Sequence, residues 1–123
     1  MTREEASDFA RRWVEAWNAR DVEHHLSHCD DAVRFTSPRA LATVGSATLS
    51  GKDALRTYWL ARMGQVETLH FALDHVVWDG ERSELVIVYE NTVNGQRNRA
   101  CELMQFDRAG QMVRGEAMYG APL

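Results

Sequence analysis

The sequence contains little cysteine, little proline and no long run of apolar residues. It has two cysteines, Cys29 and Cys101, and two prolines in 123 residues. Two cysteines are too few for the disulfide framework of a small secreted domain, so we expect reduced thiols and a cytoplasmic protein. The apolar runs are shorter than a membrane span and the N-terminal residues are charged, so we expect no membrane helix and no signal peptide.

Clustered positive charge is also missing. Lysine and arginine number 14 against 18 aspartates and glutamates, which gives a net charge of −4. The arginines are scattered along the chain and never form a run. Nucleic acids and anionic membranes are bound through basic surfaces, so we expect neither as a partner.

The motifs of several common cofactor and metal sites are absent as well. The sequence has no Gly-rich phosphate loop, dinucleotide fingerprint, HExxH motif or CxxC motif. It has no internal repeat, and its length suits one domain with a sizeable core. We therefore predict a single domain, 1–123, with no cofactor and no metal.

The first half of the chain predicts helices. Thr2 and Glu5 form a capping box for the first, whose buried face has helical spacing. That face consists of Ala10, Trp13, Val14 and Trp17. Asp21 is a suitable N-cap for a second, short helix. A third helix is predicted after Gly51 and is expected to end at Gly64.

The second half predicts strands, because apolar and polar residues alternate from residue 67 onward. Asp79-Gly80 and Asn94-Gly95 are typical hairpin turns. The predicted strands are 33–35, 69–78, 85–93, 97–106 and 112–119. Residues 39–49 form the only long stretch without a pattern, predicted to be a surface loop or a mobile flap over a cavity.

The predicted order α-α-β-α-β-β-β-β indicates an α+β domain, with helices packed on a curved, mainly antiparallel sheet that encloses a pocket. Strand 85–93 is apolar on both faces. Its two sets are Leu85, Ile87 and Tyr89 on one face and Val86 and Val88 on the other. Helices can cover only one face, so we expect a homodimer through the sheet.

Several segments carry a family resemblance that spans nearly the whole chain. They are Arg12-Trp13-Val14-Glu15-Ala16-Trp17-Asn18-Ala19-Arg20-Asp21, Asp30-Asp31-Ala32-Val33, Ser50-Gly51-Lys52-Asp53-Ala54-Leu55-Arg56, Phe106-Asp107-Arg108-Ala109-Gly110 and Met118-Tyr119-Gly120. In order and spacing they resemble the nuclear transport factor 2-like superfamily, near its SnoaL-like and ketosteroid-isomerase-like branches. The resemblance implies a cone-shaped α+β fold with a deep pocket, dimerisation through the sheet, and functions from isomerase and cyclase to binding subunit.

The resemblance also assigns positions from the steroid isomerase. The tyrosine of the first helix falls at Trp13, the general base at Ser37, the acid of the oxyanion hole at Glu102, and a ring lining the cavity at Tyr119. Indole cannot exchange a proton, and a lone serine cannot take one from carbon. Two of the three catalytic groups are therefore missing, which argues against steroid isomerase chemistry.

Glu102 is the strongest candidate for chemistry, with Tyr119 as its catalytic partner. It lies in an apolar stretch, and a buried carboxyl must be paired, protonated or turned toward a polar cavity. The alternatives are a solvent-facing side chain or an ion pair with Arg97 or Arg99. The residues predicted to line the pocket are Trp13, Trp17, Phe35, Ser37, Tyr58, Trp59, Tyr89, Asn91 and Met104.

The cluster of His24, His25, His28 and Cys29 offers two i, i+4 pairs. Each pair supplies only two ligands, and a catalytic zinc site needs three that converge. We therefore predict a partly solvated short helix there. His70 and His75 are predicted to lie on opposite faces of one strand.

These features lead to three hypotheses for function. The first is a small-molecule enzyme that uses acid–base chemistry to isomerise, cyclise or dehydrate an apolar, carbonyl-containing substrate. The second is a non-catalytic protein that binds a small apolar molecule in the same pocket. The third is an interaction module that dimerises through its sheet.

Overall fold

The computed structural model describes residues 1–123 as four helices and six strands. The helices are α1 (Arg3–Asn18), α2 (Val22–Ser27), α3 (Pro38–Val44) and α4 (Lys52–Gln65). The strands are β1 (Cys29–Thr36), β2 (Thr48–Ser50), β3 (Leu69–Asp79), β4 (Glu84–Val93), β5 (Gln96–Phe106) and β6 (Met112–Pro122). None of the helices combines the length and the apolarity needed to cross a membrane.

The six strands form one curved sheet in the order β2-β1-β6-β5-β4-β3. All neighbouring strands are antiparallel except β1 and β6, which are parallel. The last four strands follow one another as a meander, and the helices cover one side of it. The predicted α+β architecture is confirmed.

The inner face of the sheet is buried and its outer face is not. On β4, Leu85, Ile87 and Tyr89 are at most 1% exposed. Val86 and Val88, which point the other way, keep part of their surface accessible. The helices therefore cover only one of the two apolar faces of this strand.

The predicted local signals at the start of α1 and in the turn between β4 and β5 are confirmed. The Thr2 hydroxyl accepts from the Glu5 amide at 3.1 Å, and the Glu5 carboxylate accepts from the Thr2 amide at 2.9 Å. Asn94 and Gly95 have φ angles of 51° and 83°, as a two-residue type I′ turn requires.

Residues 39–49 are not the irregular stretch that the sequence predicted. Most of them belong to α3 and β2. The Ser37 hydroxyl caps α3 by accepting from the Arg39 amide at 3.2 Å, and Pro38 occupies its first turn. Gly45 ends the helix with a φ of 81°. Ser37-Pro38 at the start of α3 and Gly45 directly after it are helix signals that the sequence analysis did not use.

The predicted end of the third helix was also wrong. Gly64 lies inside α4, which continues to Gln65. A helical glycine costs about 1 kcal/mol relative to alanine, and packing of the helix against its neighbours overrides such a preference.

The side chain of Asn18 connects the end of helix α1 to the edge of the sheet by hydrogen bonds. The Asn18 amide oxygen accepts from the Phe71 N–H at 2.7 Å, and its amide nitrogen donates to the Phe71 carbonyl at 3.0 Å. Asn18 thus satisfies two backbone groups on the free edge of β3. Arg20 adds hydrogen bonds to the carbonyls of Val66 and Glu67 at 2.7 and 2.8 Å.

We predict that Asn18→Ala lowers the free energy of unfolding by about 1–3 kcal/mol, because two backbone groups of β3 lose their partners. Urea denaturation followed by circular dichroism measures the change. Glu15→Ala, an exposed substitution on the same helix, is the control and should change stability little. Equal stability of the two variants would contradict this role of Asn18.

Candidate functional site

A cavity lies between the inner face of the sheet and helices α1, α3 and α4. Its 14 lining residues are Trp17, Phe35, Arg39, Tyr58, Trp59, Arg62, Met63, Val66, Leu69, Phe71, Tyr89, Val93, Glu102 and Tyr119. It holds about 460 Å³ of atom-free space including its open mouth, and only a small part of this space lies in the interior. A small organic ligand therefore has to occupy the mouth or displace side chains.

Glu102 is the acidic residue that lines this cavity. It sits on β5, paired with Ile87 of β4 and Ala117 of β6, and is 8% exposed. Arg97 and Arg99, the alternative partners, instead form ion pairs with Glu90 at 3.2 Å and Asp74 at 2.9 Å. The carboxyl therefore faces neither solvent nor a structural ion-pair partner.

Burial controls the protonation of Glu102. It raises the pKa of the carboxyl to about 8, and the positive charge of Arg39 only partly opposes the rise. At pH 7 most Glu102 side chains are therefore neutral acids. A neutral carboxyl can donate a hydrogen bond or a proton into the cavity.

Two tyrosines and a serine add hydroxyl groups near the acid. Burial raises the pKa of Tyr58, and it raises that of Tyr119 to about 12, with the charge of Glu102 also raising both. The Ser37 side chain lies beside both phenols and partly offsets these shifts in pKa. The phenols therefore remain protonated at neutral pH and can act as hydrogen-bond donors.

Two arginines, which the sequence analysis missed, complete this cavity. The Arg39 guanidinium lies over the Tyr119 ring, with Cζ 3.9 Å from the ring centroid. Arg62 comes from the last turn of α4, and its pKa is lowered by burial and then by the charge of Arg39. Arg62 follows Tyr58 by four residues, a spacing that places two side chains on one helix face and could have identified it.

A second, smaller cavity lies under α2. Its lining residues are Phe9, Trp13, His24, His25, His28, Cys29, Trp59, Glu102, Met104 and Met112. Only Glu102 and Trp59 line both cavities. The acid is thus placed between two spaces of different character, one bordered by arginines and the other by histidines.

His25 corrects the prediction that α2 is merely a partly solvated helix. Its side chain is 5% exposed and stacks on Trp17, with ring centroids 4.0 Å apart. Burial lowers its pKa well below the usual value, and His24 and His28 add to this shift. The Nε2 atom is buried without a hydrogen-bond partner. His25 is therefore a neutral core side chain at pH 7.

The cysteines form no disulfide, and the histidines form no metal site. Both cysteines are unpaired, and burial raises the pKa of the Cys29 thiol to about 12. No group of three or more histidine, cysteine, aspartate and glutamate side chains is arranged to hold a metal ion. His70 and His75 were predicted to lie on opposite faces, but a register irregularity between Leu73 and His75 places both on the outer face, where both are exposed.

The structure distributes the predicted site residues over both cavities. The first contains Trp17, Phe35, Tyr58, Trp59, Tyr89, Glu102 and Tyr119, and the second contains Trp13 and Met104. Ser37 is fully buried and lines neither. Asn91 also lines neither: it is fully buried beside the Phe71 and Asn98 positions, and both of its amide atoms lack partners.

Asn91 was predicted to line the pocket, and it does lie on the same inner face of the hairpin as Glu102. The register explains the difference. Glu102 pairs with Ile87, so Tyr89 is its diagonal neighbour and Asn91 lies a further two residues along β4. Sequence alternation defines a face but not the distance along it.

Comparisons with known proteins identify the family. A family model described as SnoaL-like domain matches residues 10–115. A SnoaL-like protein of unknown function from Burkholderia thailandensis E264 is 28% identical, with a TM-score of 0.86 and 98% of each chain covered.

Two other solved structures share the fold at lower identity. An NTF-2 like protein of unknown function from Burkholderia xenovorans LB400 is 20% identical, with a TM-score of 0.75 over 98% of this chain and 88% of that one. BvnE pinacolase from Penicillium brevicompactum is also 20% identical, with a TM-score of 0.75 over 97% and 88% of the two chains. A comparison with curated proteins gives no match. The chain, with its helices on a curved sheet around Glu102, belongs to the SnoaL-like domain family of the nuclear transport factor 2-like fold.

Proposed function

We propose that the protein is an acid–base enzyme that acts on a small apolar molecule containing a carbonyl group. The observation that carries the proposal is Glu102, a carboxyl 8% exposed with its pKa raised to about 8, at the junction of two cavities. Functional sites are where groups with such perturbed pKa values cluster.

The mechanism starts from the neutral form of Glu102. The acid donates a proton to the carbonyl oxygen of the substrate, and Tyr58 and Tyr119 donate hydrogen bonds to the same region. The resulting carboxylate then removes a proton from carbon, which returns Glu102 to its neutral form. These two transfers convert the carbonyl compound to its enol. Glu102 then returns a proton to another carbon of the conjugated enol while the enol O–H proton passes back to the carboxylate, which gives the isomerised carbonyl compound and restores the neutral acid.

The relatives of the same fold include an enzyme, which is compatible with this proposal, but they do not identify the reaction. One of them is a pinacolase and others are of unknown function. A fold shared at such identities allows many reactions. The proposal therefore depends on the site of this chain and not on the activity of a relative.

A second candidate is a non-catalytic protein that binds a small apolar molecule. The observation in its favour is that Glu102 is the only acidic residue lining either cavity, and the first cavity contains no histidine. Glu102 would then need to perform both proton transfers. A binding protein would retain the ligand and release it unchanged.

We also propose that the protein is a homodimer through the outer face of the sheet. The outer side chains of the four long strands form an apolar patch of Val77, Val86, Val88, Cys101, Leu103 and Met118. Val77 and Met118 are 53% and 41% exposed. The patch lies at the middle of these strands, where a second copy of the chain can cover it.

Charged residues of both signs border this patch. At one end Arg97 pairs with Glu90 and Arg99 pairs with Asp74. At the other end, Glu116 of β6 lies beside Leu103, and Arg114 precedes Glu116 by two residues. A twofold arrangement of two copies can therefore place opposite charges around a shared apolar centre.

The unpaired thiols support a cytoplasmic location, which we propose as well. Cys29 is buried on the inside of the fold and Cys101 lies on the outer face of the sheet, so the chain holds no disulfide. Reduced cysteines are typical of the cytoplasm.

The raised pKa of Glu102 can be tested without a substrate. An unfolded glutamate titrates near 4.5 and the folded one near 8, so the folded protein holds the proton more tightly. Its contribution to stability is complete below pH 4.5 and is lost as the pH rises through 8. We expect the stability of the wild type relative to Glu102→Gln to fall by roughly 4 kcal/mol between pH 5 and pH 8.

Urea denaturation of both proteins at several pH values measures this difference. Glu90→Gln is the control, since Glu90 lies on the outer face in an ion pair with Arg97. A difference between wild type and Glu102→Gln that does not change with pH would show that Glu102 has an ordinary pKa.

The catalytic role can be tested by proton exchange. We expect the protein to accelerate the exchange of the CH₂ protons of phenylacetone in D₂O, followed by nuclear magnetic resonance. Glu102→Gln should slow this exchange by about 100-fold or more, because it removes the proton-transferring group. Tyr119→Phe should slow it by roughly tenfold through loss of a hydrogen bond. Exchange by the wild type at the rate of buffer alone would favour the binding protein instead.

The dimer can be tested with one substitution at the centre of the patch. We expect the wild type to have about twice the chain mass of 14.0 kDa in size-exclusion chromatography with light scattering. Val88→Arg should be monomeric, since it places an unpaired charge in the interface. Leu60→Arg changes an exposed leucine of α4 and should remain dimeric. A monomeric wild type at micromolar concentration would refute the proposed interface.

A further inference from the structure

The first cavity contains two arginines that have no acidic partner. Arg39 and Arg62 are both half-buried. The ion pairs of the structure use other basic residues, and Arg20 is bound to backbone carbonyls. The other arginines without an acidic partner are exposed: Arg3, Arg12, Arg34, Arg108 and Arg114. Arg39 and Arg62 are thus the two arginines that lack an acidic partner and are also partly shielded from solvent.

The two guanidinium groups reach the cavity from different helices. Arg39 lies in the first turn of α3, and Arg62 in the last turn of α4. Both side chains line the same cavity, and the charge of Arg39 disfavours the charged form of Arg62. Contact with the Tyr119 ring at 3.9 Å holds Arg39 in this position.

Nothing in the cavity neutralises this positive charge. Glu102 is the only acidic residue among the lining residues, and at pH 7 it is mostly protonated because its pKa is about 8. The remaining walls are mainly apolar, with 11 of 14 lining residues hydrophobic. The cavity therefore combines two half-buried positive charges with mainly apolar walls.

We propose that this cavity binds an aromatic carboxylate, with Arg39 and Arg62 holding the carboxylate and the ring packing on the aromatic walls at the open mouth or in place of a side chain that it displaces. A planar guanidinium matches a carboxylate through two parallel hydrogen bonds, and a bound anion relieves the repulsion between the two arginines. The inference rests on the proposed function in that both use this cavity, but it does not require proton transfer by Glu102.

Benzoate and its uncharged analogue benzamide provide a matched pair of probes. They have the same ring and nearly the same size, so their difference reports the anionic group. Trp17 and Trp59 line the cavity, and their fluorescence can report binding, with isothermal titration calorimetry as an independent measurement. We expect the wild type to bind benzoate at least about tenfold more tightly than benzamide at pH 7.

Single substitutions identify the groups that hold the anion. We expect Arg39→Gln and Arg62→Gln each to weaken benzoate binding by about tenfold and to leave benzamide binding unchanged, because each removes one charged donor. Arg108→Gln removes an exposed arginine of the turn between β5 and β6 and should retain the full preference for benzoate. Equal affinity of the wild type for the two probes would overturn the proposal, as would an unchanged preference in both arginine variants.

Glu102→Gln separates this inference from the proposed function. It should retain the preference for benzoate at pH 7, since the wild-type acid is neutral there. In the wild type, benzoate binding should weaken as the pH rises through 8 and Glu102 becomes a carboxylate, whereas Glu102→Gln should show no such change. Loss of the preference in Glu102→Gln at pH 7 would contradict the arginine site, and it would not bear on proton transfer.

Discussion

The burial of one unpaired carboxyl is the constraint on which the site depends. Glu102 lies in the middle of the sheet between Ile87 and Ala117, where backbone pairing on both sides prevents it from turning to solvent. Ionising it there is costly because the surroundings are apolar. The side chain therefore stays protonated, with a pKa raised to about 8. The result is a neutral acid in a fixed position.

The helices determine what this acid faces. Helix α1 is fastened to β3 through Asn18, and α4 presents Tyr58, Trp59 and Arg62 toward the sheet. Trp59 and Glu102 line both cavities, so one acid borders two spaces. The arginines remain charged while the glutamate is neutral, because guanidinium pKa values are far above 7. This difference makes the main cavity positive.

The sequence predicted those features that depend on neighbouring residues. The capping box at Thr2, the turn at Asn94-Gly95 and the alternation along β4 are local patterns, and each corresponds to what the structure contains. Residues 39–49 were mistaken for a loop because α3 is short and buries only Ala40. With so few buried residues, its helical periodicity was too weak to detect.

The sequence by itself determined the fold class, the family and the position of Glu102 in an apolar strand, since all three follow from periodicity and motif order. Only the tertiary structure decided that Arg39 and Arg62 line the same cavity, that Asn91 lies away from both cavities and that His25 is buried against Trp17. These facts depend on strand register and on how separate helices pack. Such long-range relations produce no periodic pattern in the local sequence, so sequence periodicity cannot predict them.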